Sequence, residues 1–235
     1  MQSNHKAFTL IELLVVIAIF GILLSILLPS LFKAKELTKT AVCLSQQKQV
    51  GISYSLYLKN NKGKLMARMW HRAGFWHGQI LKYTNSKDLI HCPSADKVST
   101  RPWRGEDAKT AWMGNRAMGY LDGNATGSIG INGYTYSNEG NSNTFYRRIE
   151  GIENPSNTPL FTDNVWVDTW PRATHANPTT MDGTWGFLDR IYINRHWGKK
   201  INTMQIDNSG KTIKISNILF LDWHKQINYR AIPLL

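Results

Sequence analysis

Between Leu13 and Leu28 this 235-residue chain carries no charged side chain. A run so apolar is stable only in a bilayer or deep in a core, so it constrains the rest of the fold. Extended to residues 8–32 it is 25 residues long, about 37 Å of helix at 1.5 Å per residue, enough to cross a hydrocarbon layer of about 30 Å. A short polar stretch with Lys6 precedes it, and no small-residue cleavage site follows it, so it does not read as a conventional secretory signal. One acid, Glu12, sits in its first turn and a half. An ionisable group at membrane depth is costly and calls for a partner. Pro29 removes a helix hydrogen bond and predicts a local kink or melt. Gly21 and Ser25 are small residues four apart, a spacing that lets helices approach closely and that an Ile/Leu-rich segment also produces by chance.

The remaining length suffices for one globular domain of about 175 residues. The formal net charge is +12, with a pI near 9.7. Two readings stand: a basic exposed surface, or attraction to an anionic partner such as acidic polysaccharide, nucleic acid or lipid head groups. The basic residues are scattered and form no dense run, which favours the first. Nine Trp residues belong in a core unless an exposed row of them forms a ligand platform. Two cysteines, Cys43 and Cys92, are too few for a tetrahedral all-cysteine zinc site.

Helical periodicity continues past Pro29. Leu37, Ala41, Leu44, Gly51, Tyr54 and Leu58 share one side, and the turn-rich cluster Asn60-Asn61-Lys62-Gly63 ends the helix near Leu58. Such a stripe needs a sheet to cover it. A short helix is expected around Phe75–Leu81 and a loop at His91-Cys92-Pro93-Ser94, with residues 94–118 irregular. Ile129–Tyr136 reads as a strand or tight loop. Arg147-Arg148-Ile149 and Thr158–Asp163 read as short strands on either side of Asn154-Pro155-Ser156. Met204–Ile215 alternates about a polar turn and is the clearest hairpin, and Ile218–Leu221 reads as a central strand.

The run Phe8-Thr9-Leu10-Ile11-Glu12-Leu13-Leu14 resembles the N-terminus of type IV prepilins and type II secretion pseudopilins. Further likeness lies in Cys43 with Gln46–Gln49, Cys92-Pro93-Ser94, Ile152–Phe161, Arg195-His196 and Asn217–Asp222. Their order resembles the prepilin-type processing-associated family, which has a C-terminal His, nine residues, then Asp-Gly and a further His. His196, Asp222 and His224 match that motif. The spacing departs from it, through an apparent insertion of the 204–215 hairpin, and Trp223 replaces the Gly. Ala7 stands where prepilins usually carry Gly.

The resemblance implies cleavage between Ala7 and Phe8 by a prepilin peptidase, N-methylation of Phe8, and assembly with other pilin-like subunits through Glu12 and a neighbour's methylated amine. It implies an α+β, pilin-like fold: a leader (1–7), a transmembrane assembly helix (8–32), its amphipathic continuation (33–60), and an extracytoplasmic β-rich domain (61–235) whose antiparallel sheet packs on the helix. Lys33, Lys35 and Lys39 against Lys6 would by themselves put the C-terminal side in the cytoplasm, whereas the resemblance implies the opposite, and the more specific signal is followed. With the domain outside the inner membrane, a Cys43–Cys92 disulfide is the favoured state of the two cysteines.

His196, Asp222 and His224 could be imagined as metal ligands or a catalytic pair, but a structural hydrogen bond is the simpler expectation. Asp122-Gly123-Asn124 could begin a calcium loop yet lacks the distal acid of an EF-hand. No nucleophile-elbow, zinc-protease or phosphate-loop motif is present. The sequence therefore points to a non-enzymatic pseudopilin or type IV pilus-like subunit with no metal or other cofactor. The alternative is a membrane-tethered binder of an anionic polymer, without sequence-specific nucleic-acid recognition.

Overall fold

The computed structural model describes residues 9–69, 75–84, 86–102, 105–113, 126–141, 143–172, 188, 190–191 and 193–225. Helix α1 runs unbroken from Leu10 to Asn60, 51 residues. Its start is fixed by Thr9, whose hydroxyl accepts from the Glu12 amide at 3.2 Å, while the Glu12 carboxylate accepts from the Thr9 amide at 2.8 Å. This reciprocal capping box satisfies donors that a helix N-terminus otherwise leaves open. Pro29 lies inside the helix, which continues through it without the melted turn that was one of the two expected outcomes. The lost amide bond is confined to one turn of a segment whose other backbone groups are paired internally. The predicted stop is observed two residues late: Asn61 caps the helix, and Lys62 and Gly63 adopt φ of 53° and 77°.

Every residue of α1 from Leu10 to Lys35 is exposed, and burial begins at Glu36. The buried stripe is Glu36, Cys43, Gln47, Val50, Gly51, Ser53, Tyr54 and Leu58. Leu37 and Ala41, expected on that stripe, face outward. The stripe turns polar toward its N-terminal end because Glu36 pairs with Lys39 at 3.1 Å, and Gln47 and Cys43 meet polar groups of the domain.

The domain contains a five-stranded sheet in the order β6-β4-β5-β7-β8, with β4 at Ile129–Asn132, β5 at Pro159–Asp163, β6 at Asp168–Thr169, β7 at Lys200–Gln205 and β8 at Gly210–Lys214. Pairing is antiparallel except that β6 runs parallel to β4 at the edge. Helix α1 lies across β5, β7 and β8. The helix and sheet approach closely at Gly51, where a Cβ would come within 2.5 Å of the Asn208 Oδ1. Asn208 takes the left-handed conformation (φ 64°) in the β7–β8 turn and donates to Ser55 at 2.7 Å, which seats the hairpin on the helix.

Beneath α1 the core is aromatic. Trp76, in the short helix α2 (Trp76–Ile80), packs on Phe161 at 4.8 Å and donates its indole N–H to the Val167 carbonyl at 2.6 Å. Tyr54 meets the edge of Phe161 at 5.9 Å. A smaller sheet joins β1 (Lys97–Pro102), β2 (Thr110–Met113) and β3 (Thr126–Gly127), with β1 and β2 parallel. Strands β1 and β2 occupy part of the span 94–118 anticipated as irregular, of which residues 103–104 and 114–118 lie outside the described residues. The 147–149 strand is instead a single bridge from Arg148 to Lys64 followed by a 3-10 turn at Ile149–Gly151. The strand at 218–221 is likewise a 3-10 helix, Ile215–Phe220, which buries Ile215 and Ile218 without joining a sheet.

Candidate functional site

The outer half of α1 is an exposed apolar helix long enough to cross a membrane. Glu12 is exposed near its start, and its carboxylate is held only by the Thr9 amide and hydroxyl at 2.8 and 2.9 Å. Nothing in the domain neutralises it among the described residues. Ala7 and Phe8, singled out for cleavage and methylation, lie outside the described residues, as does the 122–124 segment considered for calcium.

The second element is a buried polar cluster where α1 enters the domain. Cys43 comes from the helix, and Cys92 from the turn after the 3-10 segment Lys87–Ile90. Asp163 ends β5, and His196 precedes β7. Backbone bonds between His196 and Lys200, with Lys199 and Gly198 at positive φ, hold the histidine in place. All four side chains are buried, and their ligand atoms lie within 4.8 Å of one another. His196 Nε2 is 2.9 Å from Asp163 Oδ2 and 3.7 Å from Cys92 Sγ, and the Cys43 thiol donates to Asp163 Oδ1 at 3.2 Å.

A shell of donors surrounds these atoms. The Asn202 amide donates to Asp163 Oδ2 at 2.7 Å, and Gln47 Nε2 to Asp163 Oδ1 at 3.1 Å. The Ser94 amide points at Cys92 Sγ at 3.4 Å, and Ser94 Oγ lies 3.4 Å from His196 Nδ1. Burial works against a charged His196, but the adjoining Asp163 carboxylate outweighs it and pushes the imidazole up to about 9. Burial would also raise the Cys92 thiol, yet hydrogen bonds from Cys43 and His196 bring it down to about 6. Burial drives Cys43 well above the ordinary thiol range. Asp163, despite its burial, is held below the usual carboxylate range by His196 and then Arg195.

The structure therefore brings Cys43 and Cys92 together, but as free thiols rather than as the anticipated disulfide. Asp163 and His196 occupy the same space and engage one sulfur each. Among the described residues, His196 does not gather with Asp222 and His224 into the metal or catalytic grouping that was weighed against a structural hydrogen bond. His196 pairs with Asp163. Asp222 donates its backbone amide to Asn157 at 3.1 Å, and His224 stacks on Tyr134 at 4.6 Å, where burial lowers it to about 4. Trp223 does not reproduce a left-handed glycine turn: it is not among the residues with positive φ, and its ring is fully buried with its N–H on the Ile218 carbonyl at 2.9 Å.

Sequence reasoning weighed the two cysteines by themselves and missed Asp163, Gln47 and Asn202. The one signal at hand was positional: the segments around Cys43, Cys92, Phe161 and His196 that carry the family resemblance are those that converge here.

Compared with known families, residues 2–28 match the prokaryotic N-terminal methylation motif. Neither a curated protein nor a solved structure matches the chain. Over its N-terminal segment the chain is type IV prepilin-like or pseudopilin-like, with a long apolar helix leading into an α+β domain.

Proposed function

We propose that this protein is a pilin-like subunit of a type II secretion pseudopilus or type IV pilus-like filament. A prepilin peptidase cuts between Ala7 and Phe8 and methylates Phe8. The subunit waits in the inner membrane with its domain outside and assembles through α1. The observation that carries this reading is the methylation motif at residues 2–28 opening a helix whose first 26 residues, Leu10 to Lys35, touch no part of their own domain closely enough to be buried. So long an apolar surface needs a lipid or protein neighbour. On the docked half, Leu37, Val42, Ile52 and Leu56 remain 43–50% exposed on the outward face, continuing that surface past the membrane.

Glu12 is the register element. In a bundle of such helices its carboxylate meets the new amino terminus of a neighbour, and burying both charges together offsets their separate desolvation. The role is structural rather than enzymatic. Exposed tryptophans together with Lys or Arg would support the polymer-binder alternative. Among the described tryptophans, Trp76, Trp112, Trp170 and Trp223 are buried and Trp166 is half-buried. Trp197, 47% exposed, sits beside Phe32 of α1 at 6.1 Å.

The test is Glu12→Ala beside wild type, each expressed with the assembly machinery. Membrane levels and leader cleavage stay normal, while sheared or crosslinked multimers disappear. Equal multimer yield from the two proteins removes the argument for a filament subunit.

A further inference from the structure

We propose that Cys43, Cys92, Asp163 and His196 form a closed tetrahedral site for a divalent transition metal, zinc(II) by the chemistry of its donors, which staples α1 to the sheet. The inference stands on the domain alone and does not depend on filament assembly.

The geometry comes first. Metal bonds of about 2.0–2.3 Å to nitrogen, oxygen and sulfur set tetrahedral ligand-to-ligand edges of about 3.3–3.8 Å. The contacts are 2.9 Å for His196 Nε2 to Asp163 Oδ2, 3.2 Å for Cys43 Sγ to the other carboxylate oxygen, Asp163 Oδ1, and 3.7 Å for Cys92 Sγ to His196 Nε2. No pair exceeds 4.8 Å. Small side-chain rotations bring these atoms around one centre. The four donors come from segments spread over more than 150 residues and are each at most 2% exposed.

The outer shell has the form that a metal site needs. Cys92 Sγ receives the Ser94 amide at 3.4 Å, and Cys43 Sγ receives the Gln47 side-chain amide at 3.8 Å, contacts that favour sulfur as thiolate. Asp163 is oriented by Gln47 and Asn202. Ser94 Oγ stands at His196 Nδ1, ready to accept its N–H and so leave Nε2 bare for coordination.

Without a metal, Nε2 is asked for two incompatible things. Asp163 at 2.9 Å wants a proton from it. The Asn202 Nδ2 at 3.2 Å, whose orientation is set by its donation to the Thr40 carbonyl at 2.9 Å, offers one to it. A cation on the Nε2 lone pair removes the demand for a proton there. Charge gives an independent indication. Two thiolates, one carboxylate and one divalent ion sum to minus one. Arg195, 1% exposed and acting on Asp163, carries the compensating positive charge, and its Nε and Nη1 have no hydrogen-bond partner among the described residues.

Sulfur donors exclude calcium and magnesium, and four buried protein ligands with no open position are the pattern of a structural rather than a catalytic zinc.

The experiment uses the full chain in detergent, purified without chelator, with metal content read by elemental mass spectrometry and cysteine state by non-reducing peptide mapping. The expected result is about one zinc per chain with both cysteines free of disulfide. Exchange for cobalt(II) should add a thiolate-to-cobalt charge-transfer band and the visible bands of a tetrahedral centre. Cys92→Ser should lose most of the charge-transfer intensity, and Ser94→Ala, outside the ligand set, should weaken zinc binding about 10-fold or more. A Cys43–Cys92 disulfide in the wild-type protein overturns the proposal. So does a reduced wild-type protein that takes up neither zinc nor cobalt when each is added as its chloride, or one that holds a different metal at stoichiometry. Because the wild type alone can give these results, a variant that fails to fold does not shield the idea.

Discussion

Tyr54→Ala tests whether the second half of α1 is the spine of the domain core. Tyr54 is 1% exposed, its ring lies edge-on to Phe161 at 5.9 Å, and its hydroxyl accepts from the Met66 amide at 3.4 Å. Deleting a buried aromatic ring costs about 3–5 kcal/mol through lost transfer energy and the cavity left behind. The abandoned Met66 amide adds about 1 kcal/mol. At about 2–4 °C per kcal/mol for a domain of this size, Tm should fall by about 8–24 °C. Tyr54→Phe isolates the hydroxyl and should cost only about 1 kcal/mol. Leu56→Ala, two residues on but 46% exposed, should stay within about 1 kcal/mol of wild type. Melts of the detergent-solubilised protein followed by near-ultraviolet circular dichroism report the domain and not the membrane half of the helix. If Tyr54→Ala melts no lower than Leu56→Ala, the packing described here is wrong.

Two further outcomes follow from buried charge. Asp168 is fully buried between Arg68 Nε at 3.1 Å and Arg190 Nη1 at 3.0 Å, so Asp168→Asn removes the buried carboxylate that both guanidinium groups share and should cost about 3–5 kcal/mol in urea unfolding; a change under about 1 kcal/mol would refute the pairing. His77 lies against Trp76 and Trp112, and burial lowers it to about 3. From its ordinary value near 6.5 down to about 3, the unfolded chain binds a proton that the folded chain refuses, so stability is full above that window and falls with pH through it, by about 2 kcal/mol at pH 5. His77→Phe should flatten that slope, and identical slopes for the two proteins would show that His77 is not the group responsible.

What the sequence disclosed was local. Residues 10–60 were readable as one helix because the apolar run, the helical periodicity beyond it and the Asn60–Gly63 stop are contiguous signals, whereas the Thr9/Glu12 cap emerged only in the structure. The 204–215 hairpin was readable because its arms alternate around a polar turn. Ile218–Leu221 misled because a short apolar run is shared by buried strands and buried 3-10 turns, and only the tertiary setting distinguishes them. The parallel strands β1 and β2 were invisible because nothing local announces pairing between Lys97 and Thr110. The outward turn of Leu37 and Ala41 was hidden for the same reason: Glu36, Cys43 and Gln47 face inward to partners such as Asp163, 116 residues beyond Gln47. The 196–224 motif gave no sign that its members separate: His196 sits beside Asn202 under α1, while His224 lies on Tyr134.

The central claim is that this is a processed, pilin-like subunit, and the mature N-terminus tests it most directly. Native protein extracted from membranes of cells with an active leader peptidase should yield, by mass spectrometry, an N-terminal peptide that starts at Phe8 and carries one added methyl group. An intact Met1 or Gln2 terminus under the same conditions would contradict it.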